Sequence, residues 1–154
     1  MFRIALCLAI GAIAVIAPAG ASASAADYEA CSAGAGDKRA LRQCNTFRTD
    51  VAECNALRES GGIDAPAQCM AEKLEAWRTV MEVEETRATV AGAVGDLGRE
   101  DWEAGRVSNC RDAGQIRIAT ERFGPAYAEF EALQCELRAV IRRTLQRTED
   151  RKGL

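Results

Sequence analysis

Six cysteines, Cys31, Cys44, Cys54, Cys69, Cys110 and Cys135, are spread along residues 26–154, no two of them in a C-x-x-C pair, and the chain has no histidine. That pattern narrows the options. A zinc site built on thiolates wants closely paired ligands, commonly completed by histidine. A redox-active dithiol wants C-x-x-C. An even number of widely spaced cysteines in a small exported chain instead predicts three disulfides. Several pairings are open to six cysteines; the shortest loops favour Cys31–Cys44, Cys54–Cys69 and Cys110–Cys135, each able to join neighbouring helices.

The export signal lies upstream. Met1-Phe2-Arg3 carries one positive charge, residues 4–17 form an apolar run, and Pro18-Ala19-Gly20 breaks it before a small-residue stretch over 21–26. Ala21-Ser22-Ala23 and Ala23-Ser24-Ala25 both fit the A-x-A cleavage pattern, so a signal peptide over residues 1–25 is expected to be cut after Ala23 or Ala25. The run is shorter than the roughly 20 residues that span a bilayer. The seventh cysteine, Cys7, stands at the start of this run and is discarded with it. No membrane span is expected in the mature chain, and its place is the periplasm or the medium.

Residues 26–154 make one domain, too short for two independent cores. Asp37 is placed to cap a helix reaching about Ser60, with Leu41, Cys44, Phe47, Val51 and Cys54 at spacings of three and four, and Ser60-Gly61-Gly62 as its stop. Asp64-Ala65-Pro66 starts a second helix, which carries Met70, Leu74, Trp77 and Met81 on one face and runs to about Val90. Gly92, Gly95 and Gly98 mark a hinge, and a short helix follows over residues 99–107. Residues 108–123 show no clear pattern. After Phe123-Gly124-Pro125 comes the strongest amphipathic stretch, with Ala126, Phe130, Leu133, Leu137, Val140, Ile141 and Leu145 on one face, acidic residues early and arginines late. No stretch alternates long enough to argue a strand. The expected fold is all-α, a small disulfide-stapled helical bundle. Only 5% of residues are aromatic, so the core buries little area per residue, and bridges adding about 2–4 kcal/mol each matter against a usual margin of roughly 5–15 kcal/mol.

Charge and residue types exclude several functions. Without histidine there is no Ser-His or Cys-His nucleophile pair and no imidazole metal ligand. Beyond residue 25 the chain holds 19 basic and 23 acidic residues, a net charge of −4 that provides no footprint for nucleic acid. No phosphate loop, dinucleotide fingerprint or calcium loop is present. No enzyme activity, metal or cofactor is expected. Glu82, Glu84 and Glu85 could supply the paired carboxylates of a glycoside hydrolase, but consecutive helical glutamates more simply form a solvated face. Glu100, Asp101 and Glu103 flank Trp102 as charges of a helix start. These six acidic residues are the candidates for contacting a partner. Trp77 belongs to an apolar face and to the core; the charged flanks of Trp102 leave its role open.

The C-terminal half carries a recognisable pattern. Trp102-x₃-Arg106-x₃-Cys110, then Cys135 and a last helix with Arg142, Arg143 and Leu145, resembles the lysozyme inhibitor LprI-like family of small bacterial secreted helical proteins. The similarity spans about residues 54–147, and residues 69–77 sit where that family has a cysteine followed by a helix with Leu and an aromatic. The family's Leu-Asn pair is missing, and Phe123-Gly124-Pro125 stands where it has Gly-Gly-Ser. The resemblance implies that Trp102, Arg106, Cys110, Cys135 and Arg143 are scaffold residues, with Trp102 in the core, the cysteines bridged, and Arg106 paired with a carboxylate. It also implies a protein partner, lysozyme of the basic animal type, whose cleft would be blocked in the bacterial envelope. An acidic protein would be steered toward so basic an enzyme. The rival expectation is an envelope structural or adaptor module on the same scaffold, without lysozyme activity.

Overall fold

A computed structural model describes residues 23–62, 64–93 and 99–154; the expected signal segment up to residue 22, and Gly95 and Gly98 of the expected hinge, lie outside them. The described residues form eight helices and no strand: α1 (Ala23–Gly34), α2 (Lys38–Gln43), α3 (Phe47–Ala56), α4 (Arg58–Gly61), α5 (Asp64–Val90), α6 (Arg99–Cys110), α7 (Ala113–Phe123) and α8 (Pro125–Lys152). The fold is an all-α bundle held by three disulfides.

The long helices α5 and α8 are its axis. Met70, Leu74, Trp77 and Met81 of α5 are buried against Phe130, Leu133, Leu137, Val140, Ile141 and Leu145 of α8 in one core. The two helices run in the same direction, because Arg78 meets Glu136 while Glu84, six residues on, meets Thr148 and Arg151. Parallel neighbours need a long return connection. Here α6 makes the descent, since Arg99 sits beside Glu82 at its start, Arg106 beside Glu136 further on, and Arg111 beside Glu129 just past its end. Helix α7 then turns at Gly124, whose φ of 92° suits glycine, and Pro125 opens α8 at the tolerated first position.

Three stretches differ from expectation. The helix expected over residues 37–60 is broken into α2, α3 and α4. Asp37 does cap α2, accepting from the Ala40 N–H at 2.8 Å, but Cys44 closes a tight turn onto the Leu41 carbonyl and the Asn45 side chain accepts the Phe47 N–H at 3.0 Å. That local hydrogen bond competes with helix continuation, although the apolar spacing crosses the break undisturbed. The patternless residues 108–123 contain α7, capped by Asp112 through the Gln115 N–H at 3.0 Å. Finally, residues from Ala23 onward, expected as cleavage region, begin α1, with Ala25 and Tyr28 buried.

The bridges are Cys31–Cys44, Cys54–Cys69 and Cys110–Cys135. They tie α1 to the turn after α2, α3 to α5, and the end of α6 to α8. Helix α1 gains a second tether: the Lys152 ammonium of α8 donates to the carbonyls of Ser32, Ala33 and Ala35. A cation there satisfies orphan carbonyls and complements the negative end of the helix dipole.

Candidate functional site

Helix α5 has a second apolar stripe. Ala76, Val80 and Val83 recur at i, i+4 and i+7, the spacing of one helix face. Over them lies the first turn of α1, whose Ala25 and Ala26 are too small to fill the space. The result is a groove of about 550 Å³ floored by these residues and Tyr28 and edged by Glu29, Glu72 and Glu75. Its lining holds four carboxylates, counting Glu84, against the single guanidinium of Arg87. Glu29 and Glu75 are 71% and 74% exposed at the side chain, Glu29 paired with Arg87 at 2.6 Å and Glu75 with Arg78 at 3.5 Å in surface pairs that a partner's cations can exchange with, and Val83 is 43% exposed. An apolar floor under an acidic rim suits an apolar side chain flanked by lysine or arginine on a partner.

At the inner end of the groove the chemistry is structural. Glu84 is buried and accepts from Arg87 at 2.9 Å, from both Arg151 nitrogens at 3.0 Å, and from Thr148 at 3.0 Å. Burial alone would push its pKa up; the hydrogen bonds from Arg87, Arg151 and Thr148 together win, and the carboxyl lies below its ordinary value. An ionised carboxylate only accepts, so Thr148 donates to it, and the Tyr28 phenol, 2.7 Å from Thr148 Oγ1, donates in turn. Desolvation, partly offset by Thr148 and reinforced by the Glu84 charge, pushes the Tyr28 pKa up to about 12. A glycoside hydrolase needs one carboxylic acid held protonated. The groove's buried carboxylate is held in the opposite state.

The other acidic candidates are also drawn into the scaffold. Glu84 and Glu85 do not belong to a solvated face, contrary to expectation: Glu84 is 2% exposed, and Glu85 pairs with Arg143 of α8, with Arg99 of α6 at 3.5 Å and with Arg147 at 3.8 Å. Both are therefore removed from partner contact. Glu82 is exposed but paired with Arg99 at 2.9 Å, and Glu103 lies 3.9 Å from the same guanidinium. Glu100 and Asp101 are exposed in the first turn of α6 and are not among the residues lining the groove.

The motif residues gather around a second buried carboxylate. Glu136 of α8 accepts from buried Arg106, from Arg111 Nε at 2.7 Å, and faces Arg78 at 3.5 Å. Three guanidiniums from α5, α6 and the turn after α6 thus converge on one anion. Trp102 is not a core residue; it is half-buried at the core edge, with Arg143 at 4.4 Å and Arg106 at 5.6 Å from its ring centre. Cys110 and Cys135 are bridged beside it. Trp77 is fully buried, its indole N–H donating to Asp50 at 3.1 Å, and Asp50 also pairs with Lys73 at 3.1 Å.

Sequence reasoning missed Asp50, Glu136 and the groove. The stripe through Ala76, Val80 and Val83 was readable but interleaves with the stripe through Met70, Leu74, Trp77 and Met81. Comparison with family models, curated proteins and solved structures finds no match to the chain.

Proposed function

We propose that the protein is an exported binding domain, acting in the periplasm or the medium, whose groove between α1 and α5 receives a basic protein. Lysozyme is the partner named by the resemblance of Trp102, Arg106, Cys110, Cys135 and Arg143 to the lysozyme inhibitor family. Three disulfides fit an oxidising compartment. The observation that carries this reading is the groove itself: an apolar floor ringed by Glu29, Glu72 and Glu75. The carboxylates contact the partner's cations, and binding is steered by charge.

The test uses the oxidised mature protein in a lysozyme turbidity assay, with direct binding measured at two salt concentrations. Inhibition that weakens at higher salt, and that falls about tenfold or more in a Glu72→Lys/Glu75→Lys variant, supports the reading. Both residues are exposed, so the variant leaves the core untouched. Absence of inhibition at micromolar excess removes lysozyme and leaves the adaptor module, whose basic partner would occupy the same groove.

A further inference from the structure

The acidic groove accounts for only one side of the molecule. On the side where the turn after α2 meets α8, a cleft of about 400 Å³ is lined by Arg42, Asn45, Phe47, Arg48, Arg138 and Arg142, with Ile141 and Leu145 at its wall. It contains four guanidiniums and no carboxylate. That composition stands out in an acidic chain where most arginines are neutralised. Arg78, Arg87, Arg99, Arg106, Arg111, Arg117, Arg143, Arg147 and Arg151 each pair with a carboxylate within 4 Å. Among the described residues seven arginines pair with none; Arg39, Arg58 and Arg122 lie elsewhere, and the other four, Arg42, Arg48, Arg138 and Arg142, all line this one cleft.

Their placement is organised. Arg138 and Arg142 stand four residues apart on α8, hence on one face and about 6 Å apart along the axis. The Arg138 guanidinium stacks over the Phe47 ring, 4.6 Å from its centre, which limits its freedom before any ligand arrives. Arg42 lies in the last turn of α2 and Arg48 in the first turn of α3, and the break at residues 44–46 brings both to the cleft. Thr46 gives α3 no side-chain cap, because its hydroxyl donates to Asp50 instead. Apolar walls of low polarisability concentrate the field of like charges.

We infer that this cleft binds an anion carrying two or more phosphate groups. The planar guanidinium fork matches phosphate oxygens in pairs, and four guanidinium charges spread over three helices exceed the roughly −2 charge of one phosphate. A molecule with linked phosphates satisfies them together. The ligand is either soluble or the head group of a lipid at a membrane surface; the site's chemistry is the same for both.

The experiment titrates the oxidised mature protein with inorganic tripolyphosphate and, separately, orthophosphate by calorimetry. A second arm measures co-sedimentation with phosphatidylcholine vesicles with and without cardiolipin, which has two phosphates. An Arg138→Gln/Arg142→Gln variant tests the cleft, and Arg142→Gln alone keeps the Phe47 stack. An Arg39→Gln/Arg122→Gln variant removes equal charge from outside it. The expected result is tripolyphosphate binding well above orthophosphate, weakened about tenfold or more by the cleft variants and less than about twofold by the control. Binding in the vesicle arm alone, with the same dependence on Arg142, assigns the phosphates to a membrane surface. Failure of both arms, or equal losses in cleft and control variants, overturns the inference.

Discussion

Tyr28 and Thr148, 120 residues apart, share a buried hydrogen bond of 2.7 Å that links α1 to the far end of α8. Thr148 in turn donates a hydrogen bond to Glu84 at 3.0 Å. The phenol therefore sits at the end of a relay terminated by a carboxylate and two guanidiniums. Tyr28→Phe keeps the ring, its edge contact with Trp77 at 5.1 Å, and the Thr148–Glu84 bond. It should cost about 1 kcal/mol in denaturant unfolding. Because the Tyr28 pKa is raised in the folded state, to about 12 from 10.0, the folded form holds that proton more tightly. Its contribution is complete below pH 10 and is lost as pH rises toward 12. Ultraviolet titration should show the Tyr28 step far above an ordinary tyrosine, and the step should vanish in Tyr28→Phe.

Glu84 gives the opposite limb. Its folded-state pKa lies below its ordinary value of 4.5, so the unfolded chain takes up the proton first as pH falls. The stability it contributes is complete above about pH 4.5 and disappears as pH drops through the depressed value. Glu84→Gln should cost about 2–3 kcal/mol at neutral pH, below the figure for a fully buried pair because Arg87 and Arg151 can turn to water. Its acid unfolding curve should be flatter than that of the parent. An unchanged acid limb would remove Glu84 from this role.

Arg106 and Glu136 are both 3% exposed at the side chain. Arg106→Leu leaves Glu136 buried with Arg111 and Arg78, and the expected loss is about 3 kcal/mol, the lower end for breaking a buried pair. Glu136→Leu leaves buried Arg106 with no anion, although Arg111 keeps Glu129 and Arg78 keeps Glu75, and should cost more. Thermal unfolding of the two variants tests the order.

The bridges should differ in resistance to reductant. Cys54 is fully buried and Cys69 half-buried, whereas Cys31 and Cys135 are exposed. Thiolate attack requires access to a sulfur, so Cys54–Cys69 should persist longest under mild reduction, as read by alkylation and peptide mapping. Thermodynamically the ranking shifts: loop entropy makes Cys110–Cys135, with a separation of 25 residues, worth about 3.5 kcal/mol against about 3 kcal/mol for each of the other two.

Legibility in the sequence followed the range of the interaction. Helices α5 and α8 announce themselves through Met70-Leu74-Trp77-Met81, Pro66 and Pro125, because periodicity and punctuation are local. The break after α2 does not, since Leu41, Cys44 and Phe47 keep helical spacing across it and only the Asn45 side chain stops the helix. Helix α1 was masked by its own alanines, which read equally as a cleavage site. Glu84 looked like one of three surface glutamates because Thr148 and Arg151, which bury it, lie 64 and 67 residues downstream. The arginine cleft needed the fold outright, joining Arg42 and Arg48 to Arg138 and Arg142.

Lys152 clamping the carbonyl end of α1 has a consequence for biosynthesis. The earliest described helix acquires this anchor only once the 120 residues separating Ser32 from Lys152 have been made. Until those residues appear, the first described helix has its bridge partner Cys44 within reach but not its lysine clamp.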